Sequence, residues 1–234
     1  MHGNLIALEE TLRVIKKEGA DSVICLGDVA TLGPDPRGVL ALLRDQSIKC
    51  VMGNHDDFIL SPHKVVEYTS FPPIIQGIDW CREQLSKDDK EFIRNFSPEI
   101  TIKDSGHTLR FYHGSAHNNT DNVLSEADDE KIKSFFDCSG LSMIAIGHTH
   151  LQWSRKLNGT LLLNPGSVGA PFKEFFNGSP PVIFARADFA VVTADRGGVS
   201  VKHHQVELDK QALIDAVGRS GYPTKEFLDK HYRV

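Results

Sequence analysis

Histidine, aspartate and asparagine recur in five short glycine-containing clusters of this 234-residue chain. They are His2-Gly3-Asn4, Gly27-Asp28, Gly53-Asn54-His55-Asp56, His113-Gly114 and Gly147-His148-Thr149-His150. Imidazole nitrogen, carboxylate and amide oxygen together suit borderline first-row divalent ions. One aspartate can bridge two ions, and two ions about 3.5–4 Å apart can clamp a phosphoryl group and activate water. Singly, each cluster has a plainer reading. Gly-Asp after a strand is usually a turn, and Gly-Asn-His-Asp can simply cap a helix. A lone histidine at a strand end is more often hydrogen-bonded than a ligand. The joint occurrence, in this order, points to a metal centre. None of Cys25, Cys50, Cys81 and Cys138 falls in a cluster, which speaks against structural zinc.

Such side chains need elements that bring them to one edge. Leu5, Leu8, Leu12 and Ile15 repeat at helical spacing until Gly19. Ser22–Leu26 and Ile48–Met52 are short apolar runs that break at clusters, with a helix between them opened by Pro36 and running through Leu43. This alternation predicts a layered α/β fold with a largely parallel start, and parallel strands pool ligands at their C-terminal ends. Residues 61–100 read as helical, punctuated by Pro62, Pro72 and Pro73, with Ser86 and Asp89 spaced as a capping box. Trp80, Phe92, Ile93 and Phe96 are read as core. Strands are expected at Ile100–Lys103, Leu109–His113 and Met143–Ile146, a polar loop at 115–124 and a helix over Ser125–Phe136. Asn158-Gly159 predicts a type I′ hairpin, and Asp195–Gly198 turns another between Phe189–Thr193 and Val199–Val206. Two short helices should follow Asp209, split by Gly221-Tyr222-Pro223.

The length suits one domain over residues 1–234. Formal charge is −5, so no general basic field invites nucleic acid, and no basic-aromatic strip suggests a nuclease. No apolar run is long enough for a membrane span, and no signal peptide is visible. Scattered cysteines fit free thiols in a reducing cytosol, so a cytoplasmic protein is expected.

The motif order resembles the calcineurin-like metallophosphoesterases: Asp-x-His, Gly-Asp, Gly-Asn-His-Asp or -Glu, His, and Gly-His-x-His. The resemblance spans nearly the whole chain. It extends to the small prokaryotic phosphodiesterase branch through Gly33-Pro34-Asp35-Pro36, His113-Gly114-Ser115 and Asn164-Pro165-Gly166-Ser167-Val168-Gly169. The resemblance implies two packed mixed β-sheets flanked by helices, an α/β/β/α sandwich. It implies two divalent transition-metal ions, Mn foremost, with Fe, Zn, Co or Ni as alternatives. Asp28 would bridge them. His2 and His150 would bind the first ion, and Asn54, His113 and His148 the second. His55 would protonate the leaving oxygen or donate to the phosphate, and Asp56 could orient it. A metal-bridging hydroxide would attack phosphorus in line, hydrolysing a phosphodiester or phosphomonoester of a small molecule. Amides of the helix opening near Asn4 would offer a weak anion site.

One position departs from that pattern. Met1 occupies the middle of the first motif, so the place of its aspartate lies just ahead of Met1, together with the apolar strand that precedes it in the family. The expectation is that codons upstream of Met1 encode such a strand ending in Asp. A protein lacking it would be less stable and would hold the first ion more weakly than the second. Other readings are a catalytically weak scaffold, for which the related retromer subunit is a precedent, and a dinucleoside polyphosphate hydrolase. Specificity is expected in loops 57–80, 115–124 and 169–181. There Phe172, Phe175 and Phe176, near Asn177-Gly178, could form an apolar lid or serve a homo-oligomer contact.

Overall fold

The computed structural model describes residues 1–175, 181–226 and 228. The first elements follow the sequence closely. Helix α1 spans Leu5–Glu18, capped by the Asn4 side chain on the Ala7 amide and closed by left-handed Gly19. Strand β1 is only Ile24–Cys25, α2 is Pro36–Asp45 and β2 is Lys49–Cys50. Both strands are shorter than their apolar runs, and they pair in parallel, Cys25 opposite Cys50. Next come α3 Asn54–Leu60, α4 His63–Tyr68, α5 Pro72–Gln84 and α6 Lys87–Arg94. The Ser86–Asp89 capping box is formed at α6. Ile93 is fully buried and Phe96 nearly so, while Trp80 is half-buried with its ring edge-on to Tyr222.

The second half supplies β3 Ile100–Asp104, β4 His107–Phe111, α7 Asp129–Phe135, β5 Met143–Ala145, β6 Gln152–Leu157 and β7 Thr160–Pro165. Helix α7 starts later than the sequence suggests because Asp128, not Ser125, takes the N-cap. The five strands form one mixed sheet in the order β3-β4-β5-β7-β6, parallel at its centre and antiparallel at both margins. Asn158 and Gly159 both take positive φ, as a type I′ turn requires. Strands β8 Arg186–Asp195 and β9 Gly198–Glu207 pair as a long hairpin, followed by α8 Lys210–Ser220. The helix expected after Gly221 falls largely outside the described residues.

The layers are α/β/β/α. One apolar cluster joins α1, α2, α5 and α8 to the face formed by β1, β2 and the start of β8. A second lies between that layer and the five-stranded sheet, joining Leu109, Met143, Ala145 and Leu163 to Leu26, Ala190 and Val192. A third packs α7 on the sheet's far face through Ile132, Phe135, Ile144 and Leu162. The expected pair of packed sheets is present, but the first consists of two separate two-stranded pieces, β1-β2 and β8-β9. No helix among the described residues is long and apolar enough to cross a membrane.

Candidate metal centre

The central strands deliver their following loops to one edge. His113 follows β4, the Gly147–His150 turn follows β5, Gly27-Asp28 follows β1, and Asn54 opens α3 after β2. These loops interlock through glycines. A Cβ on Gly53 would overlap the Asp28 carboxylate, and one on Gly27 would overlap the Gly53 amide. Asp56 fixes the same junction. Its carboxylate accepts from the backbone N–H groups of Asp28 (2.7 Å), Val29 (2.9 Å) and Gly53 (3.0 Å). Neither oxygen reaches His55, so the expected orienting role gives way to a different one: Asp56 clamps the two ligand-bearing loops.

Two ligand groups share one aspartate. His2, Asp28 and His150 form the first; Asp28, His113 and His148 form the second, with the ligand atoms of each group within 4.8 Å of one another. His2 Nε2 lies 2.9 Å from His150 Nε2 and 3.7 Å from Asp28 Oδ2. His113 Nε2 lies 3.3 Å from the same Asp28 oxygen. Asn54 Oδ1 is 3.0 Å from both His113 Nε2 and His148 Nδ1. All six expected ligands are therefore brought together, divided as the motif order implies. His2, Asp28 and His113 are each about 3% exposed, and Asn54 is fully buried.

The donor set fits two cations. The outer nitrogens of two rings are tied to backbone carbonyls: His113 Nδ1 to Leu26 (2.5 Å) and His150 Nδ1 to Ala170 (2.7 Å). A proton on Nδ1 leaves the Nε2 lone pair aimed inward, the arrangement metal-bound histidine uses. Burial holds His2 well below the usual imidazole range, and burial takes His148 and His150 down to about 3. Neutral imidazole is the form that ligates. His113 differs. Burial pulls it down too, but the Asp28 carboxylate and its bond outweigh that and raise it. Asp28 behaves correspondingly: burial pushes it up, and the surrounding histidines, His113 first, hold it well below its ordinary value.

His55 stands beside the first group, its ring edge-on to His2 at 5.3 Å. Its amide donates to Asp28 Oδ1 at 2.9 Å, while its Nδ1 is buried without a partner among the described residues. Burial lowers its pKa, and Asp28 opposes the shift. Phe58 flanks it, and Tyr68 continues the aromatic row to the surface. Phe172 lies against His150, ring centroids 4.2 Å apart, so one member of the expected apolar wall borders the centre. Phe176, Asn177 and Gly178 lie outside the described residues. The anion site expected at α1 meets Asn4 itself, whose Oδ1 occupies the Ala7 amide at 3.1 Å.

Three positioning residues carried no stated role in the sequence reading. Asn164, fully buried, donates to the Gly147 carbonyl (2.6 Å) and to Thr149 Oγ1 (3.0 Å), bracing the turn that carries both histidines. Gly33 and Gly169 let the backbone of Met1–Gly3 approach: a Cβ on either would overlap the carbonyl of His2 or Met1, respectively. Their motifs were visible, but a motif does not say which neighbour it makes room for.

A model of the calcineurin-like phosphoesterase superfamily domain matches residues 1–189. An uncharacterised protein of Methanocaldococcus jannaschii is 27% identical over 206 residues, covering 82% of each chain. A hypothetical protein of Pyrococcus horikoshii has a similar fold (TM-score 0.79, 20% identity), covering 99% of this chain and 94% of its own. A metallophosphoesterase from Sphaerobacter thermophilus has a TM-score of 0.72 at 22% identity, covering 99% and 95%.

Proposed function

The chain belongs to the calcineurin-like phosphoesterase superfamily, and on that premise we propose that it is a dinuclear metal-dependent phosphoesterase acting on a phosphodiester or phosphomonoester of a small molecule. The observation that carries the reading is the pair of ligand groups joined through Asp28, with His55 set beside them. In this reading His2 and His150 hold one ion with Asp28, and Asn54, His113 and His148 hold the other. Two divalent ions there, Mn foremost, supply polarisation of a phosphoryl oxygen and activation of water. The chain's own residues do the rest. Leu26 and Ala170 carbonyls keep two imidazoles aimed inward. Asp56 and Asn164 hold the loops that carry the ligands. His55 gives its proton to the departing oxygen. Burial lowers its pKa, but an arriving phosphate places negative charge nearby and favours the imidazolium. Free Cys25, Cys50 and Cys81, all buried, fit a reducing compartment such as the cytoplasm.

The test is His55→Asn, assayed with Mn on p-nitrophenyl phosphate and phenyl phosphate and on the corresponding bis-aryl diesters, phenoxide being the poorer leaving group. Loss of general-acid catalysis costs roughly 10²–10⁴-fold in turnover of the ester with the poorer leaving group. Metal content should stay at the wild-type level. Undiminished turnover at full metal loading would remove His55 from the reaction.

A further inference from the structure

A row of six rings runs through the first ligand group. Between ring centroids, Tyr68 lies 5.3 Å from Phe58, Phe58 5.5 Å from His55, and His55 5.3 Å from His2. His2 lies 4.6 Å from His150, and His150 4.2 Å from Phe172. The middle of the row is imidazole and both ends are apolar. Phe58 is buried, but Tyr68, the last residue of α4, is 46% exposed. The other exposed large apolar side chains among the described residues are Val66 and Phe71, close to Tyr68 in the chain. Clustered exposure of this kind marks a surface that meets something. Burial, then the Asp28 charge, raise the Tyr68 phenol, so this exposed ring stays within electrostatic reach of the centre.

The other end of the row is firmly held. Phe172 is half-buried, forms a bridge with Ile183, and its amide donates to the His150 carbonyl at 3.4 Å. A cavity of about 70 Å³ opens beside it and reaches both His2 and His150. Leu32, Pro73 and Ile74 also line it, and among the described residues no charged side chain does so apart from those two histidines. The second ligand group has a different neighbourhood. After His113 the chain enters a polar loop, where the Ser115 amide donates to the Asn118 carbonyl at 2.8 Å and a Cβ on Gly114 would meet the backbone of Asn118 and Asn119. Apolar and aromatic surface therefore borders the first group, and polar surface the second.

His55 decides which part of a substrate meets which surface. Its ring is edge-on to His2, so the oxygen it protonates departs on the side of the first group. Resting on the phosphoesterase reading above, we propose that the leaving alcohol carries a planar aromatic ring, which stacks on Phe172 with Tyr68 at its outer flank, and that these two residues set the preference for it. Flat rings gain from offset or edge-on contact with Phe and Tyr beyond what their apolar area provides. In the reaction a water oxygen joins phosphorus and the bond from phosphorus to the ring-bearing alcohol breaks. His55 gives that alcohol oxygen a proton and is recharged by the proton the water sheds. A nucleoside and a simple aryl alcohol both supply such a ring.

The test is calorimetric and needs no turnover. Benzylphosphonate and cyclohexylmethylphosphonate match in charge and nearly in size, and only the first is flat. Added to the Mn-loaded full chain, the benzyl compound should bind about three- to tenfold more tightly, the worth of one aromatic pair. Phe172→Leu should bring that ratio close to one, Tyr68→Leu should lower it about twofold, and Phe172→Tyr should keep it. Because the ratio is taken within each variant, a change in metal loading does not alter it. Adenosine 5′-monophosphate against ribose 5-phosphate identifies the source of the ring. A preference for the adenosine compound that falls in Phe172→Leu marks a nucleoside; a preference within the phosphonate pair alone marks a simple aryl alcohol. Equal binding within both pairs, or a preference that both leucine variants retain, would overturn the proposal and leave the phosphoesterase reading in place. A ring preference without hydrolysis of any aryl ester would keep the ring site and refute that reading. No binding of either phosphonate at millimolar concentration would remove both.

Discussion

Replacing Asp56 by asparagine tests whether the clamp, rather than the ligands, holds the centre together. The fully buried carboxylate accepts three backbone N–H groups at 2.7, 2.9 and 3.0 Å. An asparagine carbonyl set where Oδ2 stands keeps the Asp28 and Gly53 bonds. The amide nitrogen then faces the Val29 N–H, so one bond is lost and two donors oppose each other. A hydrogen bond to a charged group contributes about 1.5–3 kcal/mol, and an unsatisfied buried donor costs about 1–3 kcal/mol. Relief of repulsion with Asp28 returns part of this. The net loss at pH 8 should be about 2–4 kcal/mol, a large share of the roughly 5–15 kcal/mol that holds a domain together. In urea, with a slope of about 1–3 kcal/mol per molar, the midpoint should fall by roughly 1–2 M. Metal-free protein also carries a pH signature. Burial, then the Asp28 charge, raise folded Asp56 to about 6, against about 3.9 unfolded. Between those values the folded state keeps a proton that the unfolded state has lost, so this group's contribution to wild-type stability declines as pH rises from about 4 to 6. Asparagine cannot titrate, so the gap between the two proteins should be widest near pH 4 and narrowest above pH 6. A midpoint shift below about 0.3 M at pH 8, or a gap independent of pH, would refute the clamp.

Further predictions address metal and fold. Titrating metal-free protein with Mn should raise stability by about 2.7 kcal/mol at a hundredfold excess over Kd. Calorimetry should find two ions per wild-type chain, one for His148→Ala, and fewer than one for Asp28→Asn, because Asp28 serves both groups; equal stoichiometry in all three would contradict the shared-ligand reading. Ser86→Ala should cost about 1 kcal/mol by removing the α6 cap. At Asp89 burial pushes the pKa up, but the Ser86 hydroxyl and amide and Arg44 outweigh it and hold the carboxyl below its ordinary range. Its stabilising contribution is therefore complete above the ordinary carboxylate pKa of about 3.9 and lost as pH falls through the lower folded value. Asp89→Asn should remove that part of the acid limb of the unfolding curve; an unchanged acid limb would show that the cap carries no charge linkage.

What the sequence made legible follows from what is local. Helix α1 was readable because its apolar spacing, Asn4 cap and Gly19 stop agree with one another. The β6-β7 hairpin was readable because only residues tolerating positive φ fit its turn. That these residues would meet was readable because each sits in a short motif, all but His2 just after a strand. Long-range partners were not. The resemblance implied that Asp56 could orient His55; the fold turns its carboxylate toward backbone 27 and 28 residues away. The length of β1 was also misjudged. The apolar run over Ser22–Leu26 shows where a strand can form, but a ladder needs a partner on its edge, and among the described residues β1 has one on only one side. Asn164 was visible within a glycine-rich motif, yet its task depends on the Gly147 carbonyl 17 residues earlier.

The backbone at the centre gives a separate reason to regard it as functional. His2, Asp28, His148 and His150 all adopt left-handed φ, between 51° and 62°. For residues with a Cβ this conformation costs roughly 1–2 kcal/mol each, so four such ligands carry roughly 4–8 kcal/mol of local strain, comparable with the net stability of a domain. Such strain persists only where surrounding contacts over-determine it. Those contacts are present: His2 and Gly3 amides bond the Asp28 and Val29 carbonyls, Asn164 braces the turn between the two histidines, and Asp56 fixes the Asp28 amide. A chain selected for stability alone could relax each position with glycine. Glycine has no donor atom. The residues that bear the strain are the ones whose side chains converge on Asp28, together with Asp28 itself, so the cost and the chemistry reside in the same four positions.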